Sequence, residues 1–362
     1  MAVIKTRDSN FELLRIISMF MIVVLHMGTF GFQKAIDLNT GLSEYNQFIY
    51  HFLRSLSIIS VNIYVLISAY FLSKSKVKGN KVIRLFLETS FFCTTMFILN
   101  VLFNKTVFNA HTLKESLLAV IFREYWFVTV FLVLIVLSPY INKLIDVLSR
   151  KEYTTLLCIF FVLTSIWGFY ESITELGVNR GYSLIFFIFL YLLGGYIRRY
   201  DFIFKSIHKN LYFVLYLFIA SLNSFIVTGT AHNDSIGRWY WYNSPLVVIM
   251  SYMLFQYFKS INLQSVKINF ISKYVFGIYL VHEQPMIRDI IWKKSGIVKG
   301  VLDINQKLIM PTMLLVCAAL FVLLWIVSFA LGILFNFVYN KIEKWLFEPA
   351  DFSADSTTNQ LR

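Results

Sequence analysis

Ten continuous apolar runs, separated by short polar segments, organise the sequence. They fall near residues 10–31, 47–72, 82–104, 125–147, 154–171, 182–197, 210–229, 243–260, 269–287 and 308–338. Most approach the ~20 residues needed to cross ~30 Å of hydrocarbon as an α-helix. Membrane β-strands would alternate apolar and polar positions; these runs do not. In lipid an unpaired backbone group costs several kcal/mol, so helices are the expected elements. No small-residue cleavage site follows the first run, which is therefore expected to be retained as a helix.

Composition strengthens this reading. The chain has 362 residues, 58% hydrophobic, 18% aromatic and only 15% charged, with a mean hydropathy of +0.67. Soluble domains average about 45–50% apolar and about 25% charged residues. Too little polar surface remains to cover a water-soluble globule. The expected fold is an all-α, polytopic transmembrane bundle of about ten spans. It occupies residues 1–350, and the polar residues 351–362 form a disordered tail. The three cysteines, Cys93, Cys158 and Cys317, sit unpaired inside apolar runs and read as small packing residues.

The net charge of +13 would suggest nucleic acid in a soluble protein, but no basic helix or aromatic-interleaved basic patch is present. The cations fall in the polar segments instead. With the N-terminus inside, 20 Lys and Arg fall on the cytoplasmic side and 12 on the other, five of those 12 in the segment 288–307. Both termini are therefore expected to be cytoplasmic. The 288–307 segment is the exception, and an interfacial or re-entrant piece would account for it.

Ionisable groups inside an apolar span cost at least ~2.5–3.5 kcal/mol and are functional candidates by default. The first run carries Arg15 and His26. Eleven residues make three turns plus ~20°, so both side chains share one helix face, about 16 Å apart along the axis. Glu12 and Ser18 lie near that face. A snorkelling charge would also explain Arg15, and an interhelical hydrogen bond would explain His26. The chemical alternative is a polar track ending in an imidazole, whose pKa near neutrality suits a general base.

Other stretches carry further candidates. Asn62 to Tyr70 includes Ser68 and Tyr70, and Lys74, Lys76, Lys78, Lys81 and Arg84 follow within eleven residues. Such a loop can grip phosphates, although positive-inside bias produces the same pattern. Lys81 and Arg84, at i and i+3, could clamp one anion. Tyr125 and Trp126 begin a span, as interfacial aromatics or as a platform for sugar stacking. His282 and Glu283 follow Gly277-Ile-Tyr279 in the weakest span, as a proton-handling pair or as packing residues. No Walker motif, GxSxG or metal-spaced His/Cys cluster is present, which argues against an ATP-driven pump or a metalloenzyme.

Taken together, these stretches resemble acyltransferase family 3, the multi-span membrane O-acyltransferases. Arg15 and His26 look like the family's Arg–ten residues–His opening. Asn62 to Phe71 is similar to its N-x-(F/Y)-x-x-x-S-G-Y-F stretch, with Ala69 where Gly is usual. Lys81 and Arg84 match its R-x-x-R pair, with Lys81 in place of the first Arg and so without that bidentate fork. Tyr125-Trp126-Phe127 with Ser138-Pro139-Tyr140, and Gly277 to His282, look like its later signatures. The resemblance runs from about residue 8 to about residue 340.

It implies transfer of an acyl group, acetyl above all, from cytoplasmic acetyl-CoA or another acyl-CoA to a hydroxyl of a surface polysaccharide or its lipid-linked precursor, without a metal. The implied location is a bacterial plasma membrane, with polysaccharide-assembly proteins as possible partners and no nucleic acid. Longer family members carry an extracytoplasmic esterase-like domain; the length of this chain leads to the expectation that it lacks one. On this reading Lys76, Lys78, Lys81 and Arg84 would bind the CoA phosphates and Arg15 would line the path of the pantetheine arm. His26 would deprotonate the acceptor or briefly carry the acyl group. Ser68, Tyr70, Tyr125, Trp126, His282 and Glu283 would contact substrate, and Trp239, Tyr240 and Trp241 would stack on sugar. A flippase for lipid-linked sugar would share the spans and the buried Arg and His without depending on acyl-CoA; a scaffold for polysaccharide assembly would depend on neither.

Overall fold

A computed structural model describes residues 8–33, 42–75, 79–170, 176–200, 208–229 and 234–347, and these are helical, with no strand among them. Lys76, Lys78 and the tail 351–362 lie outside the described residues. The main helices are α1 Ser9–Met27, α2 Glu44–Ser57, α3 Ser60–Leu72, α4 Gly79–Leu102, α5 Ala110–Leu117, α6 Trp126–Val147 and α7 Arg150–Phe161. They continue with α8 Leu184–Tyr200, α9 Lys209–Gly229, α10 Pro245–Lys259, α11 Val266–Ser272, α12 Val275–His282, α13 Pro285–Asp289, α14 Ile297–Leu302 and α15 Ile309–Phe347.

Among the described residues, seven helices are long and apolar enough to cross a membrane: Ser9–Phe32, Glu44–Leu72, Gly79–Leu102, Trp126–Val147, Arg150–Tyr170, Lys209–Gly229 and Gln306–Glu343. The protein is a multi-pass membrane protein. The other three apolar runs form shorter elements. These are α8 with 17 residues, α10 with 15, and the broken pair α11 and α12.

The short helices are interior. Phe186, Phe187, Leu190 and Tyr191 of α8, Val247, Met250 and Phe255 of α10, and Ile278 and Leu280 of α12 are all fully buried. The lipid-compatible faces belong to the long outer helices. Only 17% of the apolar window of Gln306–Glu343 is buried, against 72% for Glu44–Leu72, and Leu315, Val322 and Phe337 of α15 are exposed. Dispersion rather than the hydrophobic effect must drive helix association within lipid, so close approach matters. A Cβ added at Gly194 of α8 would lie 2.6 Å from Cβ of Ala69 and 3.0 Å from the Leu66 carbonyl. Gly194 thus lets α8 and α3 meet backbone to backbone.

Side chains close the break between α11 and α12. Ser272 donates to Glu12. Trp325 Nε1 donates to the Ile271 carbonyl at 3.1 Å, and Ser328 Oγ donates to the Tyr274 carbonyl at 2.5 Å. Irregular backbone inside a membrane protein is tolerated where protein groups satisfy it in this way. Just past His26, α1 widens into a π-helical turn, Gly28–Phe32, a distortion that is frequent at functional sites.

Candidate functional site

Arg15 and His26 both lie on α1, as their spacing predicts, and their surroundings differ. The Arg15 guanidinium pairs with Glu12, which also accepts the Ser272 hydroxyl. The Arg15 carbonyl accepts from the Tyr64 hydroxyl at 2.9 Å. Arg15 is therefore an anchored ion pair joining α1, α3 and α11.

At the other end of the same face, His26 meets residues from the far end of the chain. Its Nδ1 lies 2.9 Å from Nε2 of His282 and 3.2 Å from Oε2 of Glu283. Nδ1 of His282 is 2.5 Å from the Ile278 carbonyl. A carbonyl only accepts, so Nδ1 of His282 carries the proton and Nε2 of a neutral His282 keeps its lone pair. That lone pair accepts the Nδ1–H of His26. The second nitrogen of His26, Nε2, then bears a lone pair, with no hydrogen-bond partner among the described residues. Oε1 of Glu283 accepts from Nη1 of Arg288 at 3.0 Å. Outside the spans, burial and the neighbouring Glu115 push the Glu124 carboxyl up, and Arg288 partly offsets them. Arg288 therefore faces two acidic groups.

The His26 side chain keeps 16% of its surface accessible. It lines a narrow cleft of about 30 Å³, walled by Met19, Ile22, Tyr64, Trp126, Tyr242 and Tyr279 among others. The cleft follows α1 from His26 back to Met19, one turn short of Arg15. Trp126 stacks on Tyr242, with ring centroids 5.8 Å apart, and packs on Tyr182 at 4.5 Å. An aromatic wall with a few convergent polar atoms is the usual constitution of a small-molecule site. His26, His282 and Glu283 also bring one metal-ligand-type atom each within 4.8 Å of one another. A hydrogen bond accounts for the approach of the two imidazoles, and the three atoms together form a set that could hold a metal ion.

Several residues expected to contact substrate lie elsewhere. Tyr125 is fully buried behind Trp126, and its hydroxyl donates to the Leu280 carbonyl at 2.7 Å, tying α12 in place. Ser68 donates to the Tyr64 carbonyl one turn back at 2.8 Å. Tyr70 is buried against Phe11 and Phe255, and its hydroxyl accepts from Arg198 at 2.9 Å. It lines a separate polar cavity of about 340 Å³ with Asp8, Asn10 and Lys259, near the start of α1. Lys81 is exposed. Arg84 donates to Asn336 and lies 5.0 Å from the centroid of the Tyr339 ring, which fastens it to α15. Trp239 packs on Phe169, Arg54 covers Tyr240, and Arg180 lies over Trp241.

Tyr64, Tyr242, Tyr279 and Arg288 belong to the site and were not singled out from the sequence. Tyr64 and Tyr279 stood inside motifs already noted, so a reading of every polar atom there would have found them. Tyr242 and Arg288 carried no local signal.

A family model described as an acyltransferase domain matches residues 8–346. No curated protein and no solved structure matches the chain. With a match over nearly its whole length, the chain belongs to acyltransferase family 3.

Proposed function

We propose that this membrane acyltransferase moves an acetyl group from cytoplasmic acyl-CoA to a hydroxyl of a bacterial surface polysaccharide or its lipid-linked precursor. The observation that carries the reading is the imidazole pair at the head of an aromatic cleft, which leaves Nε2 of His26 as a free base. The acceptor sugar rests against Trp126 and Tyr242, since carbohydrate C–H faces pack well on aromatic rings. Nε2 of His26 takes the proton of the acceptor hydroxyl as that oxygen attacks the thioester carbonyl. Charge develops on the His26 ring as it does so, and Glu283, 3.2 Å from Nδ1, offsets it. His282 fixes the tautomer, and Arg288 fixes the carboxylate. The collapsing intermediate expels the CoA thiolate, which takes up a proton.

The donor comes from the opposite end of α1, where Arg198 meets Tyr70 and Tyr70 lines a polar cavity with Lys259. The excess of Lys and Arg on that side supports an orientation with both termini inside and about ten crossings. The thioester arm lies beside Met19 and Ile22, which line the cleft on the Arg15 side of His26. The test is mass spectrometry of the surface glycan in cells carrying His26→Ala. Loss of the ~42 Da acetyl adduct with normal glycan export is the expected result. A fully acetylated glycan would remove His26 from the mechanism, and a stalled, unexported glycan would point to transport instead.

A further inference from the structure

About two helical turns beyond His26, α1 and its π turn bring Gln33 to a second charged group. The π turn Gly28–Phe32 lies between them and takes Gln33 off the α-helical period of α1. Gln33 Oε1 accepts from Nη1 of Arg54 and from the Tyr50 hydroxyl, the latter at 3.2 Å. The guanidinium lies 4.1 Å from the centroid of the Tyr240 ring, and Tyr240 Oη is 2.8 Å from Nδ1 of His51. Arg54 is thus held from three sides by neutral groups. No carboxylate pairs with it among the described residues, and its buried Nε has no acceptor. Arg288, the other cation at this end of the site, contrasts with it by holding Glu283 at 3.0 Å. Two further guanidiniums with no carboxylate partner among the described residues, Arg180 and Arg238, lie 5.2 and 6.0 Å from the centroid of Trp241, the residue after Tyr240. Arg180 adopts a left-handed backbone, φ 56°. Among the described residues, this end of the molecule pairs Arg288 with a carboxylate and leaves Arg54, Arg180 and Arg238 on adjoining rings without one, a place for an outside anion.

We propose that Arg54 is the centre of an anion subsite and that the acceptor carries a negative group, a carboxylate or a phosphate, beyond the hydroxyl that is acylated. The inference deepens the transferase reading by naming the acceptor class. A charge-assisted contact to Arg54 fixes which hydroxyl faces His26, so Arg54 is a specificity-determining residue rather than a catalytic one.

The test uses the full-length protein in nanodiscs and three oligosaccharides of equal length: neutral, uronate-containing and phosphodiester-containing. Binding is measured without acyl-CoA, at low and high salt. Wild type is expected to bind one charged glycan at least about tenfold more tightly than the neutral one, with the preference fading as salt screens it. Arg54→Gln should abolish that preference, and Arg54→Lys should keep part of it. Which charged glycan binds identifies the anion. Equal wild-type affinity for all three glycans overturns the proposal without relying on any variant, as does an equal loss for all three in Arg54→Gln. Because no transfer is measured, the outcome for the subsite is independent of the transferase reading, which the glycan mass spectrometry tests separately.

Discussion

Nδ1 of His26 lies 2.9 Å from Nε2 of His282, although 256 residues separate them along the chain. That contact sets the tautomer of His26 and decides which of its nitrogens is available. A lone imidazole would distribute its proton between two nitrogens. This one is oriented by a neighbour that is itself oriented by a backbone carbonyl.

His282→Gln tests that orientation directly. The amide fills similar space but no longer presents a lone pair fixed by the Ile278 carbonyl. Acyl transfer should fall about 100-fold, a loss typical of a missing orienting group on a catalytic base, with little change in acceptor KM. Steady-state kinetics on purified protein measures both, and unchanged kcat would make His282 a packing residue.

Glu283 and Arg288 act on one charge and should not behave independently. Glu283→Gln removes the compensation for protonated His26 and should lower kcat by about 10–100-fold. Arg288→Gln on that background should add less than it costs alone, because its partner is already neutral. A double-mutant cycle in kcat reads the coupling, and strict additivity would separate the two residues.

Tyr125 and Trp126 are neighbours with opposite duties. Tyr125→Phe removes the buried hydrogen bond to the Leu280 carbonyl and should cost about 1–3 kcal/mol of stability, seen as a lower Tm in nanodiscs. Trp126→Ala should instead raise acceptor KM several-fold through loss of the cleft wall. The reverse pattern would place Tyr125 in the site.

Gly194 and Ala69 test the close contact of α8 and α3. Gly194→Ala places a methyl against Ala69 and the Leu66 carbonyl, for a cost of about 1–3 kcal/mol. Adding Ala69→Gly, the residue more usual in the family, should restore part of the lost Tm. No rescue would show that the carbonyl alone sets the clash.

Lys81 and Arg84 separate binding from packing. Lys81→Ala, at an exposed cation, should weaken acyl-CoA binding about two- to fivefold without affecting Tm. Arg84→Ala should also lower Tm, since Arg84 is held by Asn336 and Tyr339. Asn336→Ala, which frees the guanidinium, should lower Tm while leaving affinity intact. Isothermal titration with acyl-CoA distinguishes these outcomes.

Much of the architecture was legible in the sequence. Each of the ten apolar runs contains a helix, because in a lipid solvent the local chain must satisfy its own backbone. The common face of Arg15 and His26 followed from helical period alone. Membership of the acyltransferase family followed from the order of short motifs. The character of each helix was less legible. The run at 269–287 looked like a weak span and is a broken interior pair, whose gap is sealed by Trp325 and Ser328 from α15. Nothing within the run announces those partners.

What the chain's local pattern determined, then, is where helices form and which residues share one face of a helix, since both depend on neighbours a few positions away. Only the tertiary structure decided that His26 faces His282 and Glu283 and that Tyr125 braces α12 while Trp126 lines the cleft. It also decided that Arg15 is paired with Glu12 and that Arg54 has no carboxylate partner among the described residues. These are contacts between helices distant in sequence, set by the rotation and depth at which each helix packs, and no periodicity along one helix encodes the rotation of another.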